Sequence, residues 1–255
     1  MLKTFEIVLT PFNRKRKVRM YLPDDYETSG KRYPVLYMHD GQNLFRDEDA
    51  GYGVSWGVAD VLSDMGLDII VAGIDCNEER FGRFDEYGPW VSKGLGQQLF
   101  QIDEELGGEG KDYIQFFAEE FKPMIDASYR TLPEQTAMMG SSMGGHITTY
   151  AICKYPHIFK RAASLSSAYW FNQKEIEERI RTSNLTAIEK FYMDVGTEEE
   201  TSIIDAKQYI DASEPVYKIM KDKVQNCRFD IIEGGIHHES AWRERLPGIL
   251  NYLYS

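Results

Sequence analysis

One segment restricts the fold of this chain more than any other. Gly140-Ser141-Ser142-Met143-Gly144-Gly145 stands between a strand-like run, Thr136–Met139, and a helix-like run from Gly144 to about Lys154. It contains Gly-x-Ser-x-Gly centred on Ser142. At such a site the chain reverses tightly and the serine sits on a strained backbone with its hydroxyl exposed. Small residues two positions either side let strand and helix approach closely. The N–H of Met143, at the helix N-terminus, points where an oxyanion develops. The pattern alone is only moderately specific, and the strand–turn–helix setting sharpens it. The bland reading is a glycine-rich helix entry used for packing.

The flanking sequence repeats this alternation. Phe5–Leu9 and Val18–Leu22, joined by a basic turn at Asn13–Lys17, read as an antiparallel pair at a sheet edge. Val35–Met38 and Ile69–Gly73 are continuous apolar runs, as in strands buried on both faces. Ser55 caps a helix with Val58, Val61 and Leu62 on one face. A long Gly- and aromatic-rich loop runs from Asp75 to about Gly96, and loops of that length are usually functional. Ile114, Phe117, Phe121 and Ile125 mark a helix over Tyr113–Tyr129, with a kink or restart at Pro123. Three further strands, Ala162–Leu165, Phe191–Val195 and Arg228–Ile232, are followed by helical runs at Gln173–Arg181, Ala206–Lys221 (with Pro215 as an interruption) and Ser240–Tyr252.

The class expected is α/β: a mostly parallel central sheet with helices on both faces. One domain spans 1–255, and the insertion Trp170–Lys190 reads either as a small lid or as a surface helix. Ligands in such sheets sit at the carboxyl ends of the strands. Function is therefore expected in the loops after Met38, Gly73, Met139, Leu165, Val195 and Ile232.

Charge narrows the partners. With 41 acidic and 29 basic side chains the net charge is −12, which disfavours nucleic acid and anionic lipid surfaces. No stretch has the roughly 18 apolar residues of a membrane span. The first residues lack a basic region followed by an apolar one, so no secretory signal is read. Cys76, Cys153 and Cys227 are few, odd in number and far apart, as expected of reduced thiols in a cytoplasmic protein.

A serine nucleophile needs a base. In the chain order Ser, acid, His, the base comes from the loop after the last strand, Gly234-Gly235-Ile236-His237-His238. Either imidazole qualifies. His146 and His157 read as structural or surface residues, and His39 as one that orders its loop. The acid, which would fix the imidazole tautomer, comes from Glu198, Glu199 and Glu200 after Gly196-Thr197, with Glu199 favoured; Asp194, Asp205 and Asp211 are weaker candidates. The second oxyanion donor is expected in Asp40-Gly41-Gln42, at the Gln42 N–H. Tyr52, Trp56, Tyr87, Trp90, Tyr169, Trp170 and Phe171 cluster in loops expected at the mouth of the site, with Trp90, Tyr169 and Trp170 as the substrate-binding candidates; ordinary loop packing is the competing reading. His237-His238-Glu239 superficially suggests zinc, but adjacent histidines do not share a helix face and His-Glu-x-x-His is absent. No metal, nucleotide or other cofactor is expected.

These segments resemble the Putative esterase family of the α/β-hydrolase superfamily, which groups esterase D-like enzymes, feruloyl esterases, enterochelin esterases and mycolyltransferases. Tyr33–Phe45 resembles its first core strand and oxyanion loop. Asp85-Glu86-Tyr87-Gly88-Pro89-Trp90 resembles its Glu-Tyr-x-Pro-Trp loop, and Gly140–Gly145 its elbow. Gly196-Thr197-Glu198-Glu199 resembles its acid loop, and Gly234-Gly235-Ile236-His237 with Trp242 its histidine segment. The likeness runs from about residue 15 to the C-terminus. It implies an α/β-hydrolase fold, with His237 as base and Glu199 as acid. The chain departs from the pattern at His238, where a small polar residue or Asp is usual. The implied activity is that of a serine carboxylesterase working through an acyl-enzyme on a small-molecule ester. Thioesterase, siderophore trilactone esterase and acyltransferase are alternatives on the same fold, and a non-catalytic binding module is one of another class. The motifs identify neither the acyl and alcohol groups nor the oligomeric state.

Overall fold

A computed structural model describes all residues from 1 to 255. Eight strands form one sheet in the order β1-β2-β4-β3-β5-β6-β7-β8. At one edge β1 (Leu2–Leu9) and β2 (Arg14–Tyr21) make the expected hairpin, and β2 pairs antiparallel with β4 (Ile70–Ile74). The rest is parallel: β3 (Tyr33–Met38), β5 (Thr131–Ser141), β6 (Arg161–Leu165), β7 (Lys190–Glu198) and β8 (Cys227–Ile236).

The alternation of side chains along a strand builds two cores. Val35 and Tyr37 face one, with Phe117, Phe121, Ile147, Ile176 and Val216. Leu36 and Met38 face the other, with Trp56, Val71, Met139, Leu246 and Leu250. Helices α1 (Val58–Met65) and α8 (Glu239–Tyr254) cover the second face. The first is covered by α3 (Gly110–Phe116), α4 (Lys122–Ser128), α5 (Met143–Lys154), α6 (Gln173–Thr182) and α7 (Ala206–Lys221). This is the α/β-hydrolase arrangement expected from the motifs.

The helix expected over residues 113–129 runs from Gly110 to Ser128 but widens to a π-turn at Phe117–Phe121, just before Pro123. A proline lacks an N–H and its ring presses on the carbonyl four residues back; the wider turn accommodates both. Pro215 lies inside α7 without ending it. β5 starts at Thr131, five residues before the apolar run, because Thr131 already pairs with Tyr33. The long loop after β4 contains a short helix, α2 (Gly82–Tyr87). In the segment 170–190, α6 is anchored by the fully buried Ile176 and Ile180. No helix is long and apolar enough to cross a membrane.

Candidate active site

Ser142 occupies the turn between β5 and α5 with φ 57° and ψ −123°. A non-glycine residue is held at positive φ only where its surroundings enforce it, and here they do. The Ser142 N–H donates to Leu165 O at 2.9 Å, and its carbonyl accepts from Gly145, His146 and Ala168 at 3.1, 3.1 and 3.0 Å. Gly140 is required by space, since a Cβ there would lie 2.6 Å from the Gly144 carbonyl; a Cβ on Gly144 would crowd Asp40 and His39 at 3.2 and 3.3 Å.

At the other side of the cavity, β7 and β8 end together. The backbones of Gly196 and Gly235 approach so closely that a Cβ on Gly196 would lie 2.1 Å from the Gly235 carbonyl oxygen, and one on Gly235 would crowd Gly196 at 3.0 Å. The acid and histidine loops therefore emerge side by side. Glu199 is fully buried, whereas Glu198 and Glu200 are exposed. Glu199 Oε2 meets His237 Nδ1 at 3.0 Å, while Oε1 accepts the Gly196 N–H at 2.6 Å and the Ser166 hydroxyl. The latter hydroxyl oxygen accepts from Trp242 Nε1 at 2.8 Å and Arg245 Nη2 at 3.3 Å. The His237 ring lies between Tyr209, 4.8 Å away by ring centre, and Trp242, 5.1 Å away and nearly perpendicular. His238 turns elsewhere: its Nδ1 accepts the Ser240 N–H at 3.2 Å and caps α8. The departure from the family pattern at 238 is thus taken up by a helix cap.

The weaker acid candidates are placed otherwise. Asp205 caps α7 and Asp211 is exposed. Asp194 is buried behind Glu199, 3.5 Å from Arg245, and burial pushes its carboxyl up to about 7. Among the other histidines, burial pushes His39 down to about 4 and His146 down to about 3, so both are neutral packing residues. His157 is exposed.

The loop after β3 is a short 3₁₀ turn, Gly41–Asn43, held from three sides. Asp40, at φ 55°, takes a bidentate ion pair from Arg83 of α2 at 2.7 and 2.8 Å, and its N–H donates to the Tyr87 hydroxyl at 3.0 Å. The Gln42 side chain is pinned to Cys76: Nε2 to Sγ at 3.1 Å, and Cys76 N–H to Oε1 at 3.1 Å. Asn43 Nδ2 donates to Glu239 Oε1 at 3.0 Å. The backbone N–H groups of Gln42 and Met143 have no acceptor within the protein.

Ser142, His237, Gln42 and Met143 line one cavity of about 700 Å³. Of the three aromatic candidates only Trp170 reaches it. Trp90 does not: its ring packs edge-on against Tyr150 at 5.4 Å. Tyr169 does not either: it is fully buried, with its hydroxyl tied to Thr149 at 2.8 Å and Ser164 at 2.7 Å. Both aromatic rings serve the core. Tyr52 of the same aromatic cluster also lines the cavity, and the remaining aromatic walls are Phe84, Phe100, Tyr209 and Trp242. Tyr209 went unseen because Tyr209, Ala212, Ser213 and Val216 form the ordinary buried stripe of α7. Burial pushes its phenol up to about 12.

The profile of the Putative esterase family matches residues 10–253. The chain belongs to the Putative esterase family. As a member it is an ester hydrolase acting on carboxylic esters. One relative is the uncharacterized protein YbbA of Bacillus subtilis (strain 168), 27% identical over 247 residues, 94% of this chain and 92% of that protein. Among solved structures, a ferulic acid esterase superposes with a TM-score of 0.73 at 19% identity, covering 99% of this chain and 98% of the other. The siderophore hydrolase EstA from Aspergillus nidulans superposes with a TM-score of 0.77 at 16% identity, covering 100% and 95%. At these identities the structural likeness is one of esterase-type fold.

Proposed function

We propose that this ester hydrolase is a serine carboxylesterase with Ser142 as nucleophile, His237 as base and Glu199 as orienting acid. The observation that carries the reading is the bond between the fully buried Glu199 and His237 Nδ1, 3.0 Å, beside a cavity shared with a serine held at positive φ. A carboxylate on Nδ1 fixes the tautomer that leaves Nε2 free to accept a proton.

Ser142 Oγ attacks the ester carbonyl while His237 Nε2 takes its proton. The carbonyl π pair moves to oxygen, and the unpaired N–H groups of Gln42 and Met143 receive that oxyanion. Collapse of the tetrahedral intermediate breaks the ester C–O bond, and the imidazolium returns its proton to the leaving alcohol. Water then attacks the acyl-serine by the same sequence, releasing the acid and the free enzyme.

A cavity of about 700 Å³ with six aromatic residues on its walls favours an aromatic or apolar acyl group. The names of the solved relatives make ferulate and siderophore esters the first natural substrates to assay. The deciding experiment compares p-nitrophenyl acetate turnover by the wild type and Ser142→Ala: turnover is expected to fall to near background. Retained turnover would overturn the serine reading. A wild type that turns over neither oxygen esters nor thioesters would favour the binding-module reading instead.

A further inference from the structure

The two halves of the proposed machinery come from distant parts of the sheet. The Gln42 amide follows β3 and the His237 imidazole follows β8, with β5, β6 and β7 between them. At the usual strand spacing that is about 19 Å of sheet, so the loops must reach toward each other across the cavity. One side-chain hydrogen bond spans them: Asn43 Nδ2 to Glu239 Oε1, 3.0 Å. Both residues are buried, at 8% and 3% exposure, 196 positions apart in the chain. Asn43 directly follows Gln42, and Glu239 is two residues past His237.

Asn43 has no freedom left to do anything else. Its Oδ1 accepts the Gly51 N–H at 3.0 Å, its carbonyl accepts the Trp56 N–H at 2.8 Å, and its own N–H donates to Asp40 O at 2.9 Å. Its Nδ2 is therefore aimed by the loop itself. Glu239 is the first residue of α8, immediately after the capping His238, so its backbone is equally fixed. Its carboxylate has no cation within ion-pair distance; Asn43 is its side-chain donor. Trp56, whose N–H donates to the Asn43 carbonyl, stacks on Trp242 of α8 at 5.6 Å, a second contact between the two loops' elements.

We propose that Asn43 and Glu239 are positioning residues whose hydrogen bond sets the separation between the Gln42 amide and the His237 imidazole. This rests on the serine reading above. The consequence is specific. Loosening the bond misplaces an oxyanion donor relative to the base, and both matter most in the transition state. The loss therefore falls on kcat and leaves KM nearly unchanged.

The test is an exchange of donor and acceptor, read as kcat and KM on p-nitrophenyl acetate together with thermal unfolding. Glu239→Ala is expected to lower kcat about 10- to 100-fold with KM within about twofold, the scale of a small misplacement. Glu239→Gln keeps an amide oxygen for Asn43 Nδ2 and is expected to stay within a few-fold of wild type. Asn43→Asp sets two carboxylates against each other and is expected to lose as much as Glu239→Ala. Adding Glu239→Gln to Asn43→Asp restores the bond with its polarity reversed, and kcat is expected to recover. A wild-type kcat in Glu239→Ala, a loss confined to KM, or a double variant no better than Asn43→Asp overturns the proposal. Ser142→Ala, assayed alongside, separates the two claims: if it retains turnover the serine reading has failed, and if it is dead while Glu239→Ala is unimpaired only the coupling has.

Discussion

Glu198, Glu199 and Glu200 are the same residue type in succession, and burial alone separates them. Glu199 is fully enclosed, with three hydrogen bonds to its two oxygens from His237, Gly196 and Ser166, while its neighbours face water. Glu199→Gln is expected to reduce kcat on the order of 10³- to 10⁴-fold with the fold intact. Glu198→Gln and Glu200→Gln are expected to stay within about twofold, which steady-state kinetics on all three would check. No pattern in the sequence contains this distinction, since adjacent loop residues differ only in which way the backbone turns them. The same blindness explains Trp90 and Tyr169. Aromatic composition near a site says that large rings are present; it does not say whether they face the cavity or, as at Tyr169, the Thr149 and Ser164 hydroxyls. Ser142 was legible because the turn that carries it is tight: a side chain at 140 would collide with the Gly144 backbone, and one at 144 would crowd Asp40 and His39.

Elements were readable where burial leaves a clear composition. β3 and β4 sit in the sheet interior with both faces covered, so each is an unbroken apolar run. The first half of β5 is not: Pro133, Glu134 and Gln135 carry exposed or half-exposed side chains, and only the backbone pairing of Thr131 with Tyr33 marks the start. The π-turn before Pro123 was equally invisible, because helical periodicity on either side is preserved. The elbow itself gives an element-scale prediction. Gly140→Ala puts a Cβ 2.6 Å from the Gly144 carbonyl, where β5 hands over to α5. Neither backbone can retreat without moving Ser142. The variant is expected to lose about 1–3 kcal/mol of stability and most of its activity, as measured by denaturant unfolding and p-nitrophenyl acetate turnover.

For the molecule as a whole, acid sensitivity follows from its two buried neutral histidines. His39 and His146 are pushed by burial to about 4 and about 3, below the roughly 6.5 of an unfolded histidine. Between those values the unfolded chain binds more protons than the folded one. The stability they contribute is present above about pH 6.5 and is lost as pH falls toward 4. His146→Leu removes one of the two. The slope of unfolding free energy against pH between about 6 and 4.5 is expected to become shallower by up to about 1.4 kcal/mol per pH unit, as urea titrations would read it. An unchanged slope would mean that His146 is protonated in the fold. The central claim concerns a different convergence, of a serine after β5 with a histidine after β8. It is tested most directly by reacting the protein with a fluorophosphonate and locating the adduct by peptide mass spectrometry. The account predicts a single modification on Ser142, abolished in Ser142→Ala and slowed in His237→Ala. A stoichiometric adduct on another residue, formed at the same rate in Ser142→Ala, would contradict it.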